Sequence, residues 1–118
     1  MTAPRFDELI HPSTRLSIVA LLAAADWSDF SFVRDRLDLS DSALSKQLST
    51  LEGAGYVAVD RPLVGRRRRV RARLTATGRA AFEGHVAALR AVIESADPTA
   101  ADEGPTGRGE AADAAPMR

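Results

Sequence analysis

The sequence contains no cysteine and only two histidines, His11 and His85. Without cysteine the chain has no disulfide, no thiolate zinc site and no cysteine nucleophile. The two histidines have no histidine or cysteine companion, so a surface or helix-end position is the expected one for both. We therefore expect no bound metal and no other cofactor.

Long apolar runs and catalytic signatures are also missing. No run approaches the roughly 18 apolar residues that span a bilayer. The N-terminus, where Asp7 and Glu8 lie, lacks the basic-then-apolar order of a signal peptide. The chain has no nucleophile elbow, no phosphate-binding glycine loop and no zinc-protease helix motif. We expect a soluble, cytoplasmic protein that is not an enzyme and does not bind a membrane.

The C-terminal stretch, residues 97–118, is rich in proline, glycine and acidic side chains, and Met117 is its one large apolar residue. Such a composition buries too little apolar surface to offset the entropy lost on ordering. The sequence therefore predicts a disordered acidic tail. Residues 1–96 are left as one domain, which agrees with the length of the chain.

Apolar periodicity predicts two helices near the N-terminus. Leu16, Val19 and Leu22 recur every three residues, and this helical pattern covers residues 13–25. A shorter helix is predicted over residues 29–37, where the apolar side chains share one face. The connection between the two helices has room for no more than a stub of strand.

The third predicted helix begins after Ser40, a residue type favoured at the N-cap. Its apolar stripe repeats every four and three residues and consists of Leu44, Leu48 and Leu51. Gly55 suits the left-handed conformation that ends many helices, so this helix is expected to stop near Ala54.

Two extended runs follow, residues 56–61 and 68–74, joined across Pro62 and Gly65. Apolar and arginine side chains alternate in the second run, which predicts a β-hairpin with one apolar and one basic face. A long helix then reaches Ala96, and its apolar stripe consists of Phe82, Val86, Leu89 and Ile93. This order predicts an α+β fold that is mainly α: a winged helix-turn-helix with a two-stranded wing and a long C-terminal helix.

The hairpin concentrates positive charge that the whole chain conceals. Sixteen basic and sixteen acidic residues give a net charge of zero, yet residues 61–79 hold eight arginines and no acidic residue. A charge run is ordinarily a solvated face. Eight like charges on one hairpin repel one another until an anion arrives, which favours a surface for a nucleic-acid backbone.

The outward face of the third helix is the second indication of DNA binding. The side opposite the leucine stripe is small and polar: Ser42, Lys46, Ser49 and Gly53, flanked by Ser45 and Thr50. Such a face lets a helix enter the major groove, where hydroxyls and a lysine meet phosphates and base edges. An ordinary solvent-exposed helix has the same pattern, so the indication depends on the basic hairpin that follows.

At these residues the sequence resembles bacterial winged-helix transcriptional regulators of the MarR and ArsR kind, in particular the compact subgroup called the winged helix DNA-binding domain. The recognition helix and first wing strand are matched by Leu39-Ser40, Leu44-Ser45, Leu48, Leu51-Glu52 and Gly55-Tyr56-Val57. The wing and following helix are matched by Val64-Gly65-Arg66-Arg67, Leu74-Thr75, Gly78-Arg79 and Phe82. The resemblance implies a homodimer formed by the first and last helices, and a palindromic operator on double-stranded DNA.

These observations predict three sets of site residues. The residues expected in the major groove are Ser42, Ser45, Lys46 and Ser49. The wing residues expected to reach phosphates or the minor groove are Arg66, Arg67, Arg68 and Arg69, with Arg71 and Arg73 supporting the basic face. The residues expected at the dimer interface are Leu16, Val19, Phe82, Val86, Leu89 and Ile93, although packing inside one subunit also explains the last four.

Other functions remain open from the sequence alone. A winged-helix interaction module could use its basic wing on an acidic protein partner. Binding of single-stranded RNA is disfavoured because no aromatic residues are interleaved with the basic ones. Resemblance to drug-responsive relatives suggests that Trp27, Phe30 and Phe32 line a pocket for a small-molecule effector, whereas core packing is the commoner role of aromatics at helical spacing.

Overall fold

The computed structural model describes residues 3–96, which form four helices and five short strands. The helices are α1 (Ser13–Ala23), α2 (Phe30–Arg36), α3 (Asp41–Gly53) and α4 (Ala76–Ala96). The strands are β1 (Ser28–Asp29), β2 (Val57–Asp60), β3 (Leu63–Val64), β4 (Arg67–Arg68) and β5 (Arg71–Leu74). The predicted mainly helical α+β fold with a wing and a long last helix is confirmed. The predicted tail at 97–118 lies outside the described residues.

Local capping signals place the ends of α3 and α4. The Oγ of Ser40 accepts a hydrogen bond from the backbone N–H of Ala43, as expected of an N-cap serine. Gly55 follows α3 with a φ of 80°, a left-handed backbone conformation in which a residue with a side chain would be strained. Thr75 caps α4, because its Oγ1 accepts from the N–H of Gly78 at 3.0 Å. Helix α1 ends at Ala23, two residues before the predicted end, and α2 is one residue shorter at each end than the predicted 29–37.

The predicted hairpin is divided into a root and a tip. At the root, β5 lies between β1 and β2 and pairs antiparallel with both. At the tip, β3 and β4 form a separate antiparallel pair. The second extended run is interrupted between β4 and β5, where the N–H of Arg69 bonds the carbonyl of Pro62 and the N–H of Phe30 bonds the carbonyl of Val70.

The core lies where α1, α2 and α3 pack against the root of the hairpin. Its buried residues are Ile18, Val19, Leu22, Val33, Leu44, Leu48, Leu51, Val57, Ala72 and Leu74. The leucine stripe predicted for α3 is therefore confirmed as a core face. Val19 was expected at the dimer interface, and this is wrong: its side chain is fully buried inside one chain. Helical spacing identifies a buried stripe but does not show whether its own chain or a second copy covers it.

The long helix α4 packs inward through glycine, alanine and one histidine, and its large apolar residues are less covered. Its buried positions are Gly78, Gly84, His85 and Ala88. The predicted stripe is half-buried at Phe82, Val86 and Leu89. Toward the C-terminal end, Val92 and Ile93 are 60% and 68% exposed. The described chain therefore covers only part of this stripe.

His85 is buried, so a surface or helix-end position is wrong for this histidine, whereas His11 is exposed. The Nδ1 of His85 accepts the backbone N–H of Asp7 at 3.0 Å, and burial lowers the pKa of the ring, with a smaller contribution from His11. The carboxylate of Asp7 in turn accepts the hydroxyl of Tyr56 at 2.6 Å. These contacts join the N-terminal segment, α4 and the start of β2.

We predict that Gly78→Ala destabilises the fold and that Gly53→Ala does not. A Cβ at Gly78 would lie 2.0 Å from the carbonyl oxygen of Tyr56, so the backbone would have to shift. Overpacking of this kind lowers the free energy of unfolding by about 1–3 kcal/mol or more. A Cβ at Gly53 meets nothing within 4 Å. Alanine there is expected to gain up to about 0.5–1 kcal/mol from helix propensity.

Urea unfolding followed by circular dichroism measures both variants. Equal free energies of unfolding for the two variants would contradict the close approach of α4 to the backbone of Tyr56.

Candidate nucleic-acid interface

The leucine stripe of α3 determines which side chains of that helix face outward. With Leu44, Leu48 and Leu51 buried in the core, the opposite side carries Ser42, Ser45, Lys46 and Ser49, all of them exposed. We call these four residues the α3 outer face. The predicted orientation is therefore the one observed. No partner of the Lys46 ammonium lies within the described part of the chain, so this cation is available to a ligand.

Two residues of the α3 outer face and three residues of the hairpin border the same groove. On the helix side the groove is lined by Ser45, Ser49 and Glu52, and on the hairpin side by Val59, Arg61 and Val70. The cause is chain connectivity: only Ala54, Gly55 and Tyr56 separate the end of α3 from β2. The outward side of the helix and Arg61 of the hairpin consequently lie beside one groove, whose lining also includes the acidic Asp41 and the apolar Phe30 and Leu48.

The wing tip, residues 63–68, carries the free cations. Leu63 pairs with Arg68 and Val64 with Arg67, so Gly65 and Arg66 form the turn. Arg66, Arg67 and Arg68 are exposed, and Arg68 donates to the carbonyl oxygen of Arg61 at 3.0 Å. Within residues 3–96 the guanidinium groups of Arg66 and Arg67 have no hydrogen-bond or ion-pair partner.

The cations nearer the body of the protein are paired with carboxylates. Arg69 binds Asp29 in a bidentate arrangement, with Nε to Oδ1 at 3.0 Å and Nη2 to Oδ2 at 2.7 Å. This hydrogen bonding holds the pKa of Asp29 below its usual value and raises that of Arg69. Arg71 donates from Nε and Nη2 to Oδ2 of Asp60, at 3.2 and 3.0 Å. Bidentate and forked pairs of this kind fix orientation as well as adding energy.

Trp27 also contacts two of the wing arginines. The Cζ atoms of Arg71 and Arg73 lie 4.5 and 5.2 Å from the centroid of the Trp27 ring, which is within the range of a cation–π interaction. Trp27 directly precedes β1, so the contact connects β5 to the corner before α2. We call the set Trp27, Asp29, Asp60, Arg69, Arg71 and Arg73 the wing root.

The sequence predicted one continuous basic face from Arg66 to Arg73, and the structure divides it in two. The tip presents free guanidinium groups. The wing-root arginines are held by Asp29, Asp60 and Trp27. The unopposed charge of the hairpin is therefore smaller than a count over residues 61–79 suggests.

Sequence reasoning missed both the acidic partners and one basic residue of the groove. Asp29 lies forty positions from Arg69, so no local pattern links them. Asp60 adjoins the arginine-rich run and lies opposite Arg71 in the register of β2 and β5, which hairpin pairing could have shown. Arg61 was counted with the charge cluster but not proposed as a site residue.

The three aromatic residues suggested for an effector pocket do not lie together. Trp27 and Phe32 line one cleft with Asp29, Arg69 and Arg71 beside the wing. Phe30 instead packs against the core, as the alternative interpretation held.

Across the described residues 3–96, no helix is long and apolar enough to cross a bilayer. In that same part of the chain, no cluster of three or more histidine, aspartate or glutamate side chains could hold a metal ion.

The chain matches a family of DNA-binding domains and superposes on solved structures of transcriptional regulators. The family described as winged helix DNA-binding domain matches residues 14–93. An uncharacterized protein of Methanocaldococcus jannaschii is 27% identical over 79 residues, covering 67% of this chain and 86% of that protein. A transcriptional regulator homologue from Pyrococcus horikoshii superposes with a TM-score of 0.72 at 25% identity, over 77% of this chain and 90% of the other. A MarR family transcriptional regulator from Silicibacter pomeroyi shares the fold, with a TM-score of 0.59 at 23% identity, over 80% of this chain and 66% of that one.

We predict that Asp29→Asn strengthens binding to random-sequence duplex DNA at low salt. The substitution removes a negative charge and releases Arg69, whose guanidinium then becomes available to a phosphate. The slope of log affinity against log salt is expected to steepen by up to about 0.9, the value for one additional phosphate contact. Fluorescence anisotropy over a salt series measures this slope.

Asp35→Asn is the matched control, because Asp35 also pairs with an arginine, Arg34 at 2.9 Å, but on α2. If Asp29→Asn changes the affinity for DNA no more than this control does, the Asp29 carboxylate does not keep Arg69 from binding a phosphate.

Proposed function

Because the chain belongs to the winged helix DNA-binding domain family, we propose that it is a sequence-specific transcriptional regulator that binds a palindromic operator as a homodimer. The observation that carries the proposal is the shared groove: Ser45 and Ser49 of α3 and Arg61 of the wing border it together. A single duplex can then meet the helix and the hairpin at once. The net charge of the whole chain is zero and therefore gives no indication of DNA binding.

The α3 outer face is proposed to read sequence. Ser42, Ser45, Lys46 and Ser49 are exposed, and none of them is large enough to keep the helix from sinking into a major groove about 12 Å wide. Hydroxyl groups both donate and accept hydrogen bonds, so they can pair with donor or acceptor groups on the base edges. Lys46 adds a cation for a phosphate or a guanine.

The wing tip is proposed to supply affinity. Arg66, Arg67 and Arg68 project from the turn of the hairpin, and each can form a fork onto phosphate oxygens or enter a narrow minor groove. Arg71 and Arg73 are bound to Asp60 and Trp27 and are proposed to hold the hairpin at the angle that brings the tip to the duplex. Arg69 is instead paired with Asp29, which keeps its guanidinium from a phosphate.

The dimer is proposed to form through α4 and α1. Val92 and Ile93 are exposed, and Phe82, Val86, Leu89 and Leu16 are half-buried, so apolar surface is left over after the chain has folded. Large apolar residues exposed along one helix are typical of a contact surface. Two copies related by a two-fold axis would present two α3 helices, an arrangement that would match a palindromic operator.

The rival function is a protein-interaction module that places its basic wing on an acidic partner. Both functions give salt-sensitive binding, but only DNA recognition discriminates between base sequences. A small-molecule effector would find aromatic surface in the cleft of Trp27 and Phe32, beside Arg69 and Arg71, where a ligand would act on the wing root.

We predict different effects from substitutions in the wing tip and in the α3 outer face. Arg67→Ala should weaken binding to every duplex and reduce the salt slope by about 0.9, because one phosphate contact is lost. Ser45→Ala and Lys46→Ala should change which sequences are preferred, by about 1–3 kcal/mol at the affected base pair. Selection of duplexes from a random pool, followed by binding over a salt series, measures both effects.

The control for these substitutions is Arg90→Ala, which removes an exposed cation from α4 that does not line the groove. The assignment of roles fails if the α3 substitutions leave sequence preference unchanged and the wing substitution behaves as Arg90→Ala does.

We predict that Ile93→Glu converts the dimer to a monomer without unfolding the chain. The side chain is 68% exposed, so a charge there meets water in a single chain but an apolar surface in a dimer. Ser95→Glu adds the same charge on the same exposed turn outside the apolar stripe. Sedimentation equilibrium should show a monomer for the first variant and a dimer for the second. Dimers from both would place the interface elsewhere.

A further inference from the structure

The wing tip combines free cations with exposed apolar side chains. Arg66 and Arg67 have no partner among residues 3–96, and Leu63 and Val64 beside them are 63% and 54% exposed. Like charges in so small an area repel one another and favour an anionic partner. The pairing of Arg69 and Arg71 with carboxylates of the fold confines this effect to the tip.

An anionic segment of suitable length exists in the same chain. Residues 97–118 contain five acidic residues, Asp97, Asp102, Glu103, Glu110 and Asp113, against Arg108 and Arg118, which gives a net charge of −3. This segment also carries Met117, an apolar side chain that complements Leu63 and Val64. Its composition thus matches the wing tip in both charge and apolar character.

The geometry allows the segment to reach the tip. Helix α4 has 21 residues, so its far end is about 32 Å from its start beside the wing root, at 1.5 Å per residue. The hairpin adds roughly 26 Å from Leu74 to Arg66 at about 3.3 Å per residue. Even if these two lengths lay in one straight line, about 58 Å would separate Ala96 from the tip. A segment of 22 residues extends to about 73 Å.

We propose that residues 97–118 bind the wing tip of their own chain and compete there with DNA. The contacts pair the carboxylates with Arg66, Arg67 and Arg68, the cations that the proposed function assigns to phosphates, so this inference rests on that function. Attachment to the same chain gives the segment a high effective concentration at the tip. Its contacts are exposed, so added salt screens them.

A spin label in the acidic segment tests the contact directly. The chain has no cysteine, so Ala112→Cys provides a single labelling position between Glu110 and Asp113. At low salt the label should broaden the amide NMR signals of residues 63–68 in the full chain, and salt of about 0.5 M should restore them. Broadening that is absent, or equal over all surfaces of the domain, overturns the proposal.

Two charge-matched variants of the labelled chain locate the contact. Arg66→Gln with Arg67→Gln should abolish the broadening. Arg36→Gln with Arg90→Gln removes the same charge from exposed positions on α2 and α4 and should leave it in place. If both pairs reduce it equally, only the overall charge of the domain is involved and the proposal is overturned.

DNA binding by the full chain tests the competition. A chain with Asp102→Asn, Glu103→Gln, Glu110→Gln and Asp113→Asn should bind random-sequence duplex at least about threefold more tightly at 50 mM salt, and equally at high salt. Unchanged affinity at low salt overturns the competition. If neither chain binds DNA, the proposed function fails, whereas the NMR result still decides whether the segment docks on the tip.

Discussion

The position of β5 between β1 and β2 is the constraint on which the rest of this structure depends. Alternation along β5 sends Ala72 and Leu74 into the core and leaves Arg71 and Arg73 on the opposite face, over Trp27. The same strand therefore anchors the hairpin to the hydrophobic core and to an ionic contact outside it. Because α3 is followed almost at once by β2, the angle between the helix and the wing is set by this small sheet.

Local signals in the sequence were sufficient for most of the fold. Ser40 and Gly55 mark the two ends of α3, and the leucine stripe between them identifies its outward face. Period-two alternation from Arg69 to Leu74 identifies the hairpin. These features could be predicted because capping, helical spacing and strand alternation act between residues that are close in sequence.

Features that depend on distant pairs could not be predicted in this way. The bond between Asp29 and Arg69 joins two elements separated by two helices and most of the hairpin, so the run of arginines gave an overestimate of free charge. Val19 and His85 illustrate the same limit for burial. A periodic apolar stripe shows that a face is covered, and only tertiary packing shows that Val19 is covered within one chain and that His85 accepts the N–H of Asp7.

The central claim is that the α3 outer face and the wing tip grip one duplex together. Amide hydrogen exchange of the protein, with and without a duplex selected for tight binding, tests it most directly. The account predicts that DNA slows exchange in residues 42–49 and 61–68 together, while the amide of Arg5, which bonds the carbonyl of Gly84 and does not line the groove, is unchanged. Protection of only one of these segments, or protection centred on α4, would contradict it.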